Sequence, residues 1–455
     1  MSANYRALMA LCVGFFIILI DQTIVAVATP HLIADFDASL TAVVWVTSVY
    51  LLCFAVPLLF TGRLGDRYGQ RNIYRIGMAV FIVASVVCGC ATSVAMLIAG
   101  RALQGLGAAI LTPQTMSVIN RIFPRESRGA ALGVWGAVAG LAALVGPVIG
   151  GVIVATVGWH WIFFINVPLG LLSLALVTAW VPKMPRTARA IDPVSVAVSL
   201  VGLFAFTFGL QQGEDFGWAW WIWALFGVGL GAFVLFVWLQ ATAQARGTEA
   251  LVPLELFAHR NFSLGAASIS TMGFTVSSQM LPIMIYLQTA KGLDAQQAGL
   301  LMVPMAVASG VLSPFVGRAS DKVAPRALSV SGFGAMALGL TVLGIGMLRG
   351  AGLVEFCLGV VIMGVGSALV WAPNSATAMR DVPVELMGAA SGVYNTTRQL
   401  GSVTGAAAIG VTMQMASERF SVGPAMGITM FVPAFMLVIG MILVSFFRGG
   451  APVAQ

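Results

Sequence analysis

Fourteen apolar runs of about 20 residues dominate the sequence and limit the fold more than any other feature. A helix rises about 1.5 Å per residue, so a helix of this length crosses the hydrocarbon core of a bilayer. Hydrophobic residues make up 59% of the 455-residue chain, more than a water-soluble fold would bury. We therefore predict an all-α polytopic membrane protein. Its transmembrane helices are predicted at residues 8–28, 43–61, 74–91, 96–119, 129–154, 163–181, 193–211, 220–241, 263–287, 295–316, 327–348, 352–373, 388–413 and 425–446.

The first apolar run has the outline of a signal peptide, because Arg6 precedes it and small residues follow at Ala26–Ala28. Asp21 inside this run, and the many runs behind it, favour an uncleaved first helix. The five cysteines lie in apolar runs, and their spacings fit neither a disulfide framework nor a metal site. We predict no metal and no other cofactor.

The basic residues predict the orientation of the chain in the membrane. If the N-terminus is cytoplasmic, eighteen of the 23 Lys and Arg residues fall in cytoplasmic segments and three in outer loops. Cytoplasmic loops of membrane proteins have such an excess of positive charge. The net charge of +7 thus reflects topology and does not indicate a nucleic-acid partner. Both termini are predicted to be cytoplasmic.

The charged stretch GRLGDRYGQRN at Gly62–Asn72 returns in a weaker form as GRASDKVAPR at Gly317–Arg326. Each stretch follows the second helix of its half only if six helices form the first bundle and six the last. Such a repeat is typical of transporters built from two related bundles around a central path. The predicted domains are an N-terminal bundle at 1–181, a linker with two inserted helices at 182–245 and a C-terminal bundle at 246–455.

Several motifs point to one family of transporters. GRLGDRYGQR resembles a signature between the second and third helices, RALQGLGAA from Arg101 a fourth-helix motif, and IDQTIVAVATP from Ile20 a first-helix motif. WHWIFFINVPLG from Trp159 and NTTRQLG from Asn395 resemble two further signatures. Over essentially its whole length the sequence resembles major facilitator superfamily transporters of the fourteen-helix drug:proton antiporter branch. This resemblance implies the major facilitator fold, with two six-helix bundles and two inserted central helices.

The fifth predicted helix resembles the antiporter motif of that branch, except that Ala142 replaces its second glycine. Small residues let helices approach closely, and proline permits a kink, so packing underlies both the structural and the functional interpretation. The resemblance implies that this helix controls leakage and the direction of transport. The motif residues are Gly133, Gly146, Pro147, Gly150 and Gly151.

We interpret the stretch at Gly62–Asn72 as part of a cytoplasmic gate. Arginines alone would satisfy the positive-inside rule, whereas Asp66 and the glycines would then be superfluous. A carboxylate held by arginines and helix N-termini could latch two bundles together, and the resemblance implies the same role. The predicted gate residues are Gly62, Arg63, Asp66, Arg67, Gly69, Arg71 and Asp321.

Asp21 and Arg101 are predicted to lie at similar depths in the first bundle, counted from the helix ends. An ionised carboxylate at that depth is costly and is usually paired or functional. Burial favours the neutral carboxyl group and a nearby arginine favours the charged one, so movement of the arginine would switch proton occupancy. We predict that this pair couples transport to protons; a static ion pair is the alternative.

The substrate cavity is predicted from polar and methionine residues within the apolar runs. Methionine side chains adapt to irregular apolar ligands. Arg398 falls near the middle of the thirteenth predicted helix, where a gate or substrate contact and a structural role both stay open. The candidates are Gln22, Gln104, Gln114, Met272, Gln279, Met280, Met284, Trp371, Asn374, Asn395, Arg398 and Gln399.

The sequence disfavours an ATP-driven pump and a membrane enzyme. No lysine precedes Ser or Thr as a phosphate-binding loop requires, and histidines and carboxylates do not cluster. We predict a monomeric, proton-coupled exporter of small amphipathic molecules in the bilayer of a bacterial inner membrane. The alternatives are a lipid, metabolite or antibiotic exporter, an uptake symporter, or a non-transporting sensor. Because intramembrane acids are scarce, neutral or anionic cargo fits at least as well as cationic drugs.

Overall fold

The structure is a computed structural model, and it describes residues 2–38, 40–124, 127–185, 192–213, 216–293, 295–320, 323–350 and 352–448. These residues form helices and no strand. An apolar chain in a bilayer favours helices, because a helix satisfies its own backbone hydrogen bonds. The helices are α1 (Ala3–Phe36), α2 (Leu40–Ala55), α3 (Leu58–Tyr68), α4 (Gln70–Gly89), α5 (Val94–Ile122), α6 (Arg128–Thr156), α7 (Trp161–Phe164), α8 (Asn166–Trp180), α9 (Pro193–Gln212), α10 (Trp220–Ala241), α11 (Arg260–Ile285), α12 (Ala295–Leu300), α13 (Val303–Ser320), α14 (Pro325–Arg349), α15 (Leu353–Ala378), α16 (Met387–Ser417), α17 (Val422–Thr429) and α18 (Phe431–Ser445).

Among the described residues, ten helical segments are long and apolar enough to cross a membrane. The number becomes eleven if α2 and α3, bent by 47° at their junction, form one span. Every predicted apolar run coincides with one helix or with two consecutive helices. The predicted spans at 263–287 and 388–413 are not among these segments. The helices α11 and α16 contain many hydroxyl and amide side chains, which lower their mean hydropathy. The count of fourteen crossings stays a prediction.

The first of two compact units contains Met1–Phe123, Ala142–Glu255 and Pro383–Thr396. In this unit α5 packs against α2 and α4, α1 packs against α8, and α9 packs against α10. Its hydrophobic core includes Ile20 and Ile24, which flank Asp21 on α1. The only acid of the first predicted span is therefore set among apolar side chains.

The second compact unit contains Pro124–Leu141, Leu256–Val382 and Thr397–Gln455. Here α14 packs against α15 and α18, and α15 also packs against α13. The approach of α14 to α15 is close: a Cβ added to Gly339 would lie 2.6 Å from the side chain of Met363. Small residues at such crossings let membrane helices pack without an aqueous driving force. The predicted domain boundaries stay a prediction.

The charged stretch that begins at Gly62 is helical, which corrects the expectation of a loop. α3 continues to Tyr68 and α4 begins at Gln70, so only Gly69 separates the two helices. Gly69 has a φ of +89°, a backbone conformation that glycine adopts without steric cost. Asp66 therefore lies in the last turn of α3 rather than in the turn itself. The helix runs on because no residue before Gly69 interrupts its backbone hydrogen bonds.

Candidate functional site

Asp21 is fully buried on α1, and donors from two other helices reach its carboxylate. Nη1 of Arg101 is 2.5 Å from Oδ2. Nε2 of Gln104 and Nδ2 of Asn166 are 2.8 Å and 2.9 Å from Oδ1. An ionised carboxylate only accepts hydrogen bonds, so three donors match its charged form. The structure thus brings Asp21 and Arg101 together in one buried cluster.

Arg101 is fully buried on α5, and its guanidinium group has several partners besides Asp21. Nη1 donates to Oε1 of Gln104 at 2.6 Å, and Nε donates to the carbonyl oxygen of Val46 at 3.3 Å. The Tyr50 ring centroid lies 4.1 Å from the guanidinium carbon, a cation–π distance. A buried arginine is tolerated where acceptors and an acid surround it, and α1, α2 and α5 supply them here.

Two members of this cluster had no assigned role in the sequence. Asn166 begins α8 and lies inside the motif that starts at Trp159. Ser85 on α4 accepts a hydrogen bond of 2.9 Å from Nε2 of Gln104. Gln104, predicted as a cavity residue, joins Asp21 to Ser85. The motif that contains Asn166 was the only sequence signal, since its contact with Asp21 spans 145 residues of chain.

Two glycines of the fifth-helix motif bring α6 against α1 next to the buried acid. A Cβ added to Gly146 would overlap the side chain of Thr23. A Cβ added to Gly150 would lie 2.6 Å from the side chain of Ile24. Both contact points are within one helical turn of Asp21, so this part of the motif forms one wall of the acid's surroundings.

The other motif positions have different surroundings. In the second unit, a Cβ on Gly133 would lie 2.6 Å from the carbonyl oxygen of Ser313 and 2.8 Å from Cα of Gly317. Gly151 has open space within 4 Å of the position of a Cβ. The side chain of Pro147 lies outside the described part of the structure. Close packing therefore explains Gly133 but not Gly151.

A second repeat becomes evident around these crossings: GAALGV at Gly129–Val134 returns as GAASGV at Gly388–Val393. In the first unit, a Cβ on Gly62 would lie 2.5 Å from the carbonyl oxygen of Gly388. In the second unit, a Cβ on Gly317 would lie 2.5 Å from the carbonyl oxygen of Gly129. Gly62 and Gly317 align in the charged repeat, so each unit contains an equivalent glycine crossing.

Asp66 is almost fully buried within the first unit and is held from several directions. Nη2 of Arg121 is 2.8 Å from Oδ1, and Nε2 of Gln70 donates to the same oxygen at 3.2 Å. The backbone N–H groups of Gly388 and Ala389 donate to the carboxylate at 3.2 Å and 3.1 Å. These two groups belong to the first turn of α16, where N–H groups have no partner within the helix.

Arg63 extends this cluster toward a distant part of the chain. Its Nη1 is 3.8 Å from Oδ2 of Asp66. Its Nη2 donates to the carbonyl oxygen of Ala250 at 3.1 Å and is 3.7 Å from Oε2 of Glu249. The side chain of Arg63 is buried, so these contacts are shielded from solvent.

The remaining predicted gate residues do not all face Asp66. The guanidinium carbon of Arg67 lies 5.2 Å from the ring centroid of Tyr68. Arg71 donates to the carbonyl oxygen of Thr178 on α8. Asp321 lies outside the described residues. The arginine on α5 that binds Asp66 is therefore Arg121, whereas Arg71 binds α8.

The cavity candidates of the first unit have mostly local partners. Nε2 of Gln114 donates to the carbonyl oxygen of Thr61 at 2.7 Å and joins α5 to α3. Nδ2 of Asn395 donates to the carbonyl oxygen of Ser391 at 2.9 Å. Gln22, next to Asp21 on α1, is half-buried. Of these three amides, Gln22 is the most exposed.

The cavity candidates of the second unit range from buried to exposed. Oδ1 of Asn374 accepts a hydrogen bond of 3.2 Å from Oγ of Ser268, which joins α15 to α11. The buried members are Met272, Gln279, Asn374 and Gln399; the half-buried ones are Met284, Trp371 and Arg398; Met280 is exposed. The substrate cavity stays a prediction. Within the described ranges, no group of three or more His, Cys, Asp or Glu residues could hold a metal ion.

The fold agrees with the family comparison. The family model for the Major Facilitator Superfamily matches residues 11–201 and 173–406. The chain therefore belongs to the Major Facilitator Superfamily, a family of membrane transporters.

Named relatives refine this assignment. The chain is 45% identical over 416 residues to an uncharacterised MFS-type transporter, Rv1250, of Mycobacterium tuberculosis, covering 91% of this chain and 71% of that protein. It is 33% identical to the multidrug resistance protein Stp of the same species, covering 89% and 74% of the two chains. It is 32% identical to the tetracenomycin C resistance and export protein of Streptomyces glaucescens, covering 90% and 76%.

Solved structures share the fold at low sequence identity. The human organic anion transporter MFSD10 superposes with a TM-score of 0.72 at 13% identity, covering 98% of this chain and all of that one. The proton:xylose symporter XylE superposes with a TM-score of 0.70 at 15% identity, covering 98% and 96%. At these identities the likeness shows the fold alone.

Proposed function

We propose that this transporter is a proton-coupled exporter of small amphipathic molecules, built from fourteen transmembrane helices and operating by alternating access in a bacterial inner membrane. The observation that supports it most is Asp21, a fully buried acid with three hydrogen-bond donors. Relatives named for multidrug resistance and for tetracenomycin C export support the direction and the class of cargo.

The hydrogen-bond donors around Asp21 oppose proton uptake by its carboxylate. Oδ2 faces Arg101, and Oδ1 faces Gln104 and Asn166. The donors fill both acceptor sites of Oδ1 and one of the two on Oδ2, so a proton would add to Oδ2, where the hydrogen bond from the charged Arg101 opposes protonation. Motion of α5 or α8 away from α1 would break one of these hydrogen bonds and favour the neutral acid, because burial disfavours an uncompensated charge. Helix motion and protonation are thereby linked.

The cluster around Asp66 is the candidate for the gate on the predicted cytoplasmic side. Its carboxylate holds the first turn of α16 through the N–H groups of Gly388 and Ala389. Hydrogen bonds to a charged group are worth about 1.5–3 kcal/mol each, enough to bias a conformational equilibrium strongly. Release of these bonds would free the start of α16 and open this side.

The scarcity of acids within the spans bears on the charge of the cargo. A desolvated cation needs a carboxylate or an aromatic cage near it, and Asp21 already has Arg101 as its counter-ion. Neutral and anionic amphiphiles therefore fit this transporter at least as well as cationic drugs. A specific antibiotic or lipid exporter of the same fold is the second candidate, favoured by the relative named for tetracenomycin C.

The test uses everted membrane vesicles energised by a pH gradient and challenged with cationic, neutral and anionic amphiphiles and fluorescent lipids. Cargo-dependent loss of the gradient is expected from the unmodified protein and not from Asp21→Asn. The matched control is Asp37→Asn, at the C-terminal end of α1, where Asp37 has a left-handed backbone that asparagine also tolerates. Cargo flux through purified, reconstituted protein that is unaffected by collapse of the pH gradient would contradict proton coupling.

A further inference from the structure

The segment that follows the inserted helix pair touches the gate cluster directly. Arg63 has two ends with different partners: Nη1 points at Asp66, and Nη2 donates to the carbonyl oxygen of Ala250. Glu249 adds a carboxylate 3.7 Å from Nη2. Residues 246–252, here called the return segment, leave α10 and provide both contacts. All of these residues belong to the first compact unit.

The return segment is fixed to α10 by a buried amide. Oε1 of Gln240 accepts a hydrogen bond of 3.0 Å from the backbone N–H of Val252. Both side chains are almost fully buried, so water competes little for this bond. Thr248 adds a backbone N–H bond of 2.9 Å to the carbonyl oxygen of Ala243. The two bonds flank Ala250 and set the position of its carbonyl oxygen.

The same amide joins α10 to α9. Nε2 of Gln240 donates to Oγ of Ser195 at 2.9 Å, and Ser195 donates to Oδ2 of Asp192 at 2.6 Å. Asp192 caps α9 by accepting the Val194 N–H at 3.1 Å. Arg246 in the return segment lies 3.8 Å from the same carboxylate. A continuous chain of contacts therefore runs from the start of α9 through Gln240 to Ala250 and Arg63.

We propose that the inserted helices position the gate arginine: Gln240 anchors the return segment, and the return segment holds Arg63 against Asp66. Gln240 is a positioning residue that contacts neither cargo nor Asp66. The inference rests on the proposed gate role of Asp66. It gives the inserted pair a function, since displacement of α9 and α10 would withdraw Ala250 and Glu249 from Arg63 and weaken the latch.

The test is hydrogen–deuterium exchange of the full-length protein in lipid nanodiscs, followed in a peptide that contains Gly388 and Ala389. Their N–H groups are protected while they bind Asp66. Gln240→Leu should speed their exchange about two- to tenfold, the range that one net hydrogen bond produces. Gln212→Leu is the matched control, because Gln212 is an equally buried glutamine at the far end of α9. A peptide from α14 should exchange unchanged in both variants.

A second variant covers the case in which Gln240→Leu misfolds. Glu249→Lys changes a side chain that is 40% exposed, so it leaves the core intact while it repels Arg63. It should also speed the exchange of Gly388 and Ala389. If Gln240→Leu and Glu249→Lys both exchange at the control rate while Asp66→Asn exchanges fast, the positioning role is overturned. The proposed gate role of Asp66 would stand in that case. Unchanged exchange in Asp66→Asn would overturn the gate and the inference with it.

Discussion

Gly388→Ala adds only a methyl group, yet it should break the contact between Asp66 and the start of α16. A Cβ at this position would overlap all three carboxyl atoms of Asp66, and the backbone of α16 holds it there. The flexible partner is the aspartate, which must swing away or push the start of α16 outward. In either case the N–H groups of Gly388 and Ala389 lose their acceptor.

The size of the effect follows from the bonds that are lost. A hydrogen bond to a charged group contributes about 1.5–3 kcal/mol, and about 1.4 kcal/mol is a tenfold change in an equilibrium. A net loss of one such hydrogen bond should therefore raise the population of the state in which the start of α16 is released from Asp66 about 10- to 150-fold. Arg121 keeps its contact with Oδ1 of Asp66 if only the backbone bonds break, so the carboxylate is not left without a counter-ion.

The assay is hydrogen–deuterium exchange at residues 388 and 389 in nanodiscs, paired with cargo flux in vesicles. Gly392→Ala, one turn further along α16, is the control, because its Cβ would make a tight contact of 3.2 Å with two backbone oxygens of α3 but would not overlap Asp66. We expect fast exchange and impaired transport in Gly388→Ala, and much smaller changes in Gly392→Ala. Equal exchange rates in the two variants would refute the claim that Asp66 holds the start of α16.

Three further predictions concern single positions. Asp21→Asn should lower the free energy of unfolding by about 3–5 kcal/mol, because Arg101 is left buried without its acid; a thermal midpoint equal to that of the unmodified protein would contradict this. Gly133→Ala should impair transport while Gly151→Ala should not, because only the first meets backbone at 2.6 Å; equal losses in the vesicle assay would contradict it. Burial alone would raise the pKa of Asp192, but hydrogen bonds at the start of α9 outweigh burial and lower it. Its stabilisation is thus complete above the ordinary pKa of 3.8 and is lost as the pH falls through the lower folded value. Asp192→Ala should therefore cost about 0.5–2 kcal/mol near neutral pH and less in acid, and a pH-independent loss in thermal unfolding would contradict the cap.

The helices and the buried acid–arginine pair follow from physical rules that act along the chain. Apolar runs of sufficient length form helices because backbone groups must be satisfied in a bilayer. Counting residues from helix ends places Asp21 and Arg101 at similar depths, and the structure joins them at 2.5 Å. A charged side chain inside an apolar span requires a partner of opposite charge, and few charged side chains lie inside the predicted helices. This is why two residues 80 positions apart could be matched without coordinates.

The other contacts of the buried charged residues depend on how distant helices pack together, which no local sequence pattern predicts. Asn166 reaches Asp21 only because α8 packs against α1. The partners of Asp66 on α16 are backbone N–H groups, which any residue other than proline possesses, so sequence chemistry does not reveal them. The contact of Arg63 with Ala250 is likewise to a backbone carbonyl, 187 residues away. Backbone partners of buried charges are the part of such a site that sequence reasoning misses.

The arrangement of α6 connects the glycines of the fifth-helix motif with the buried acid Asp21. Gly146 and Gly150 place α6 against Thr23 and Ile24, within a turn of Asp21. A helix that packs this closely transmits a shift to its neighbour rather than absorbing it, because the side chains of Thr23 and Ile24 press directly on the glycine backbone of α6. Tilting of α6 would therefore displace α1 at the acid and change the distances to its donors. If Asp21 couples transport to protons as proposed, these glycines would act on it through packing.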